Sequence, residues 1–176
     1  MSIYTNNSTT EITYRSEEDF DTFVIKQRDK QRRAFATKLA LNGQGQWTDQ
    51  DIELLLTELE IEVGEGTNRF LYENERRVYC LFLSQVIDFQ LSKSPDQIYD
   101  KIIWLWSTWE AISRATGKSW WNITEKEKYN LSLLFDNKDQ QLKSKFKYFD
   151  KCDRVFSYIR EGEGDGHLAI DGSIYY

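Results

Sequence analysis

The sequence predicts an all-α protein, an irregular bundle of about six helices followed by a short glycine-acidic C-terminal tail. Three observations carry that prediction. Only one proline, Pro95, interrupts the 176 residues. The nine glycines cluster at a few sites, where they punctuate stretches of apolar residues at helical spacing. Capping signals stand just ahead of several of those stretches. The apolar stripes do not keep a strict heptad for long, so the pattern is that of a bundle rather than a coiled coil.

The elements follow in order. Residues 1–15 are expected to be a flexible N-terminal segment, 16–160 a single helical domain and 161–176 the tail. The first helix is predicted from about Asp19 to Leu41, with Ser16 as N-cap, Asp19 at the capping-box position and Gly43 as its stop. The second starts after Thr48, places Asp49 and Asp51 in its electropositive first turn, and ends at Gly64. The third covers about Asn68 to Leu91. Between Val78 and Leu83 it is apolar all round, which predicts a central, fully surrounded helix. Ser94 followed by Pro95 is a cap with proline at the first helical position, so the fourth helix begins there and ends at Gly117. Thr124 and Glu127 form a capping box for the fifth, expected to reach about Phe135. The sixth runs from about Asp139 to Arg160. In the tail, residues 167–170 and 173–176 flank an Asp-Gly turn and suggest a small hairpin.

Composition excludes several classes. Charged residues make up 30% and the net charge is −6, which gives no general attraction to nucleic acid. The first fourteen residues lack a basic start followed by an apolar block, so no signal peptide is expected. The longest apolar run, residues 78–83, is far short of the roughly 20 residues of a membrane helix. Cys80 and Cys152 form no CxxC pair and sit among apolar residues, as buried thiols do. A cytoplasmic location is the default expectation, with no membrane partner. With one histidine in the chain, multi-histidine metal clusters are excluded, and no cofactor is expected.

Five of six tryptophans lie between Trp104 and Trp121. At 100° per residue, Ile98, Ile102, Leu105, Trp109 and Ile112 share an arc of about 80°, a core stripe with Trp109 near its middle. Trp106 falls on the shoulder of the stripe. Trp104 points to the other side, among Asp100, Thr108 and Ala111. Trp120 and Trp121 fall between two helices. Large, stiff, half-polar side chains in such positions are candidate anchors for a partner, so Trp104, Trp106, Trp120 and Trp121 are the predicted partner-binding residues.

Charge is segregated along the chain. The first helix carries Lys26, Arg28, Lys30, Arg32, Arg33 and Lys38, whereas residues 48–75 carry nine acids against Arg69 alone. The simplest expectation is that these two helices lie together. In the last helix Lys143, Lys147, Lys151 and Arg154 follow at spacings of four, four and three, with Tyr158 continuing the line. This strip is the candidate site for a polyanion or an acidic partner.

Three motifs come near a match. ATGKS at 115–119 is similar to the end of a phosphate-binding loop, but Ile112 occupies the place of the required glycine. Glu161, Glu163 and Asp165 stand at the alternate positions of a calcium loop, whose twelfth place is filled by Gly172 instead of glutamate. Arg160 and His167, separated by six residues, resemble the Arg-x(4–6)-His pair of the HEPN ribonucleases, an all-helical family. That resemblance rests on two positions. It implies a pair that polarises a phosphate and moves a proton at the ribose.

The expectation that follows is a non-enzymatic interaction protein, an adaptor, inhibitor or small subunit of an assembly. It would bind a protein partner through exposed tryptophans and segregated charge. The alternatives are a nucleic-acid-associated subunit using the basic strip, and a HEPN-like ribonuclease.

Overall fold

The computed structural model describes residues 20–86 and 92–163, with side chains to residue 157. Among these residues the fold is all-helical, with six helices: α1 (Phe20–Asn42), α2 (Asp49–Gly64), α3 (Glu73–Val86), α4 (Pro95–Thr116), α5 (Glu125–Ser144) and α6 (Phe149–Glu163). The expected cap at Ser16 and Asp19 and the hairpin lie outside the described residues, but Glu161 and Glu163, expected to open a calcium-loop-like tail, instead continue α6 as helix.

The caps form where the sequence predicts, although the capping box expected at Thr124 and Glu127 is present only in its Thr124 half. Thr48 Oγ1 accepts from Asp51 N at 3.1 Å while the Asp51 carboxylate accepts from Thr48 N. Ser94 and Gln97 exchange the same pair of bonds at 3.1 and 2.8 Å, with Pro95 at the first position of α4. Thr124 Oγ1 accepts from Glu127 N at 3.3 Å and opens α5. Each cap satisfies backbone donors that have no partner inside the helix.

Two boundaries differ from expectation. The third helix starts at Glu73 rather than near Asn68, because Phe70 and Leu71 turn inward ahead of it and are fully buried. The Arg76 guanidinium, itself buried, donates to the Phe70 carbonyl at 2.9 Å and holds that turn against α3. The fifth helix continues past Phe135 to Ser144, and the break falls at residues 145–148. No glycine or proline marks it. It lies where Phe146 and Tyr148 both turn into the core, their rings edge-on at 5.6 Å and both edge-on to Trp104.

The central helix is α4, not α3. All eight residues from Leu105 to Ile112 are buried, so α4 is enclosed on every side at its middle. On one side α6 brings Phe156 against Trp106 and Trp109, with ring centroids at 4.8 and 5.7 Å. Trp109 is a core residue, as predicted, and its indole N–H donates to Asp153 at 2.9 Å. α3 covers another side through Tyr79, Cys80 and Leu83. The side read from sequence as polar carries Trp104, Thr108, Ala111 and Ala115 within an arc of about 60°, and α1 packs along α4. Small residues on that side permit the close approach.

The approach is tightest at the end of α1. Trp104 Nε1 donates to the Leu39 carbonyl at 2.9 Å, and the Lys101 ammonium donates to the Gly43 and Gln44 carbonyls at 2.6 and 2.8 Å. A methyl group on Gly43 would stand 1.6 Å from Trp104 Nε1. Gly43 therefore serves as the seat of the Trp104 indole as well as the end of a helix. Gly43→Ala is expected to destabilise the fold by about 2–3 kcal/mol, because the indole must leave its seat and its hydrogen bond. A chemical-denaturation midpoint equal to that of the native chain would contradict this seat.

Candidate interaction surfaces

The predicted tryptophan anchors are held inside the fold to different degrees. Trp106 is buried against Phe156. Trp121 is 4% exposed, edge-on to Phe135 at 5.7 Å in a small second core with Ile25 and Leu131. Trp104 is half-buried and bonded to α1 as described. Trp120 is half-buried, and the Arg32 guanidinium lies 4.6 Å from its ring centre. The structure uses these rings chiefly for packing between helices. A helical wheel placed Trp104 on a polar side among Asp100, Thr108 and Ala111; Asp100 is exposed, but Thr108 and Ala111 are polar or small without being exposed.

The basic strip is also engaged within the chain. Lys147 pairs with Asp49, Lys151 with Glu53, and Arg154 Nε with Glu60 at 2.8 Å. The acids recur along one side of α2, and the bases lie in the connection before α6 and along α6 itself. The two rows form a ladder where α2 packs on α6. Tyr148 adds its hydroxyl to Asp49. Lys143 stands apart on the last turn of α5, its ammonium 5.2 Å from the centre of the Phe149 ring. The Tyr158 side chain lies outside the described residues, as do the side chains of Arg160 and His167. The expectation that the acids of the second helix meet the bases of the first is thus corrected: they meet the sixth.

Glu62, 3% exposed, is the exception among the acids of α2. It takes Arg69 in a two-pronged ion pair at 2.7 and 2.9 Å, and also accepts the Arg69 backbone N–H at 2.9 Å. Burial raises its carboxyl pKa, but the hydrogen bonds from Arg69 outweigh that and hold it below the ordinary value.

The near-motif at 115–119 is the end of α4. Ile112 is fully buried, the Gly117 N–H donates to the Ser113 carbonyl at 2.8 Å, and Lys118 pairs with Asp139 at 2.8 Å. Burial pushes the Cys80 thiol up to about 12 and raises that of Cys152, so both are poor nucleophiles. Among the described residues no three of His, Cys, Asp or Glu cluster so as to hold a metal ion, and no helix is long and apolar enough to cross a membrane.

Apolar side chains do stand in solvent elsewhere, at positions the sequence analysis assigned to a surrounded helix. On α3, Val78 is 64% exposed, Leu81 50%, Phe82 42% and Val86 44%. Spacings of three, one and four put them in one stripe of about 140°, opposite Arg76 and Cys80 on the buried side. Tyr129, Leu133 and Leu134 form a smaller exposed group on α5. The signal for the α3 stripe was present in the all-round apolar run, which was read as a sign of enclosure.

Compared with known proteins, the chain matches no family model, no curated protein and no solved structure.

The α2–α6 ladder has a definite pH response. Hydrogen bonds from Lys147, Tyr148 and Gln44 lower the Asp49 carboxyl from 3.8 to about 2. A depressed carboxylate stabilises the fold fully above its unfolded value, and that contribution fades as pH falls toward the folded value. The contact should therefore weaken between about pH 4 and pH 2. An NMR titration of the Asp49 carboxyl carbon should give a midpoint near 2, moving upward in Lys147→Ala. An ordinary midpoint in the native chain would show that the pair does not form.

Proposed function

We propose that this chain is a non-enzymatic macromolecular interaction protein, an adaptor, inhibitor or small subunit of an assembly, that binds a protein partner. The observation that carries the reading is the α3 stripe of Val78, Leu81, Phe82 and Val86, whose side chains stay 42–64% exposed among the described residues, with Arg69 resting on the Phe82 ring. A helix that is apolar on both sides satisfies its own core with one of them. The other suits docking against an apolar face of a second protein.

Magnitudes place a limit on that stripe. Four apolar side chains, each about half exposed, contribute on the order of 4 kcal/mol when fully covered. A micromolar complex needs about 8 kcal/mol, so polar groups at the rim must add to it. Glu73, Glu75 and Arg77 stand exposed beside the stripe, and Arg77 pairs with Glu73 at 3.5 Å. The segregated charge expected from sequence enters here as rim specificity, since the larger ladder is occupied inside the chain. Free, buried Cys80 and Cys152 suit a reducing, cytoplasmic setting. The nucleic-acid alternative draws less support, because Lys147, Lys151 and Arg154 are neutralised by α2.

A photo-crosslinking residue at position 81 or 82 should trap a partner in cells, and one at Ser144 should not. Leu81→Asp should abolish co-purification of that partner while changing stability by no more than about 0.5 kcal/mol, as exposed substitutions do. Equal trapping from position 144, or full co-purification with Leu81→Asp, would remove the α3 face from the function.

A further inference from the structure

A groove of about 620 Å³ lies between α1 and α5, away from both surfaces described above. Its walls carry Lys26, Lys30 and Arg33 from α1, Lys138 from α5 and Lys145 from the cap that ends α5. Two carboxylates balance part of this charge: Asp29 accepts from Arg33 at 2.8 and 2.9 Å, and Asp139 accepts from it as well. Setting Lys26 aside, four cations against two acids leave an excess of about two positive charges, in a chain whose net charge is −6. Lys30, Lys138 and Lys145 form no ion pair among the described residues, although the chain carries more acids than bases.

The cations are arranged as two rails. Lys26, Lys30 and Arg33 recur at four and three residues along α1. Lys138 on α5 and Lys145 at its C-terminal cap are seven residues apart. Each rail is about 10 Å long. Arg33 also has a further donor, Nη1, that is buried without an acceptor. A buried guanidinium donor left open costs stability unless something accepts from it. The base of the groove is apolar, formed by Phe135 and Leu142, with Leu134 half exposed at its edge.

We propose that this groove binds a small ligand carrying a chain of phosphates, a nucleoside di- or triphosphate or a free oligophosphate. A line of linked phosphates can contact both rails at once, whereas one phosphate reaches only a part of them. The volume lies within the range of about 300–1,000 Å³ found for small-molecule sites. The apolar base gives an organic moiety a surface to rest on. An extended nucleic-acid strand would need a longer cationic track than the two rails supply. The proposal is independent of the α3 face and of the proposed partner.

Calorimetric titration of the full chain tests it. At about 50 mM salt, inorganic tripolyphosphate and a nucleoside triphosphate should each bind at one site, and the corresponding monophosphate at least about tenfold more weakly. A tighter nucleoside triphosphate would identify a nucleotide as the ligand, and equal affinities the oligophosphate itself. Lys30→Glu combined with Lys138→Glu should weaken binding by more than about tenfold, while Lys126→Glu, outside the groove, should leave it unchanged. Circular dichroism confirms that the variants are folded. No binding of tripolyphosphate, equal binding by the double variant, or tighter binding of a single-stranded oligonucleotide would overturn the proposal.

Discussion

The enclosure of α4 is the constraint on which the rest of the fold depends. From Leu105 to Ile112 every residue is buried, so each neighbouring helix must fit a different side of one cylinder. The side toward α6 is filled by aromatic rings, with Trp106, Trp109 and Phe156 in edge contact. The side toward α1 is kept thin by Thr108, Ala111 and Ala115. That thinness has a cost, since the hydroxyls of Ser107 and Thr108 are buried without a partner, each worth on the order of 1–3 kcal/mol against the fold. A larger apolar residue there would satisfy the polarity and lose the approach. The same closeness lets the Trp104 indole reach the Leu39 carbonyl, and lets the Lys101 ammonium close the end of α1.

Helix ends were legible in the sequence wherever a side chain caps the backbone, because capping is a local interaction between residues about three apart. Thr48, Ser94 and Thr124 each do what their spacing implies. The break between α5 and α6 was not legible for the opposite reason. It follows from the burial of Phe146 and Tyr148 against Trp104, a contact across more than forty residues. Nothing at residues 136–139 needs to interrupt a helix. The polar run Asp136–Asp139 simply continues α5, and Asp139 is drawn toward Arg33 and Lys118.

Periodicity ranks faces by polarity, and this fold shows where polarity and exposure part company. Thr108 is polar and fully buried; Val78 is apolar and mostly exposed. Charge segregation has the same limit. The nine acids and six bases of neighbouring segments suggested that the first two helices attract, yet the acids of α2 find Lys147, Lys151 and Arg154 nearly a hundred residues away. Spacing does not separate the two candidates, since Lys26 and Lys30 on α1 are four apart just as Lys147 and Lys151 are. What decides the pairing is which helix the core places beside α2, and that is α6.

The same distinction decides where a partner is sought. Tryptophan is favoured at interfaces because it is large, stiff and half polar, and those properties serve equally well between two helices of one chain. Trp106, Trp109 and Trp121 are used in that way, and Trp104 directs its polar edge at α1. A residue type therefore identifies a surface only when the fold leaves it uncovered. Val78, Leu81 and Val86 meet that condition and Phe82 meets it in part, although none is a typical anchor. Their stripe shares a helix with Tyr79, Cys80 and Leu83, so a partner on α3 would press on a helix already fixed against α4. Docking there needs no rearrangement of the core, and the ordering cost of binding falls mainly on the partner's side chains.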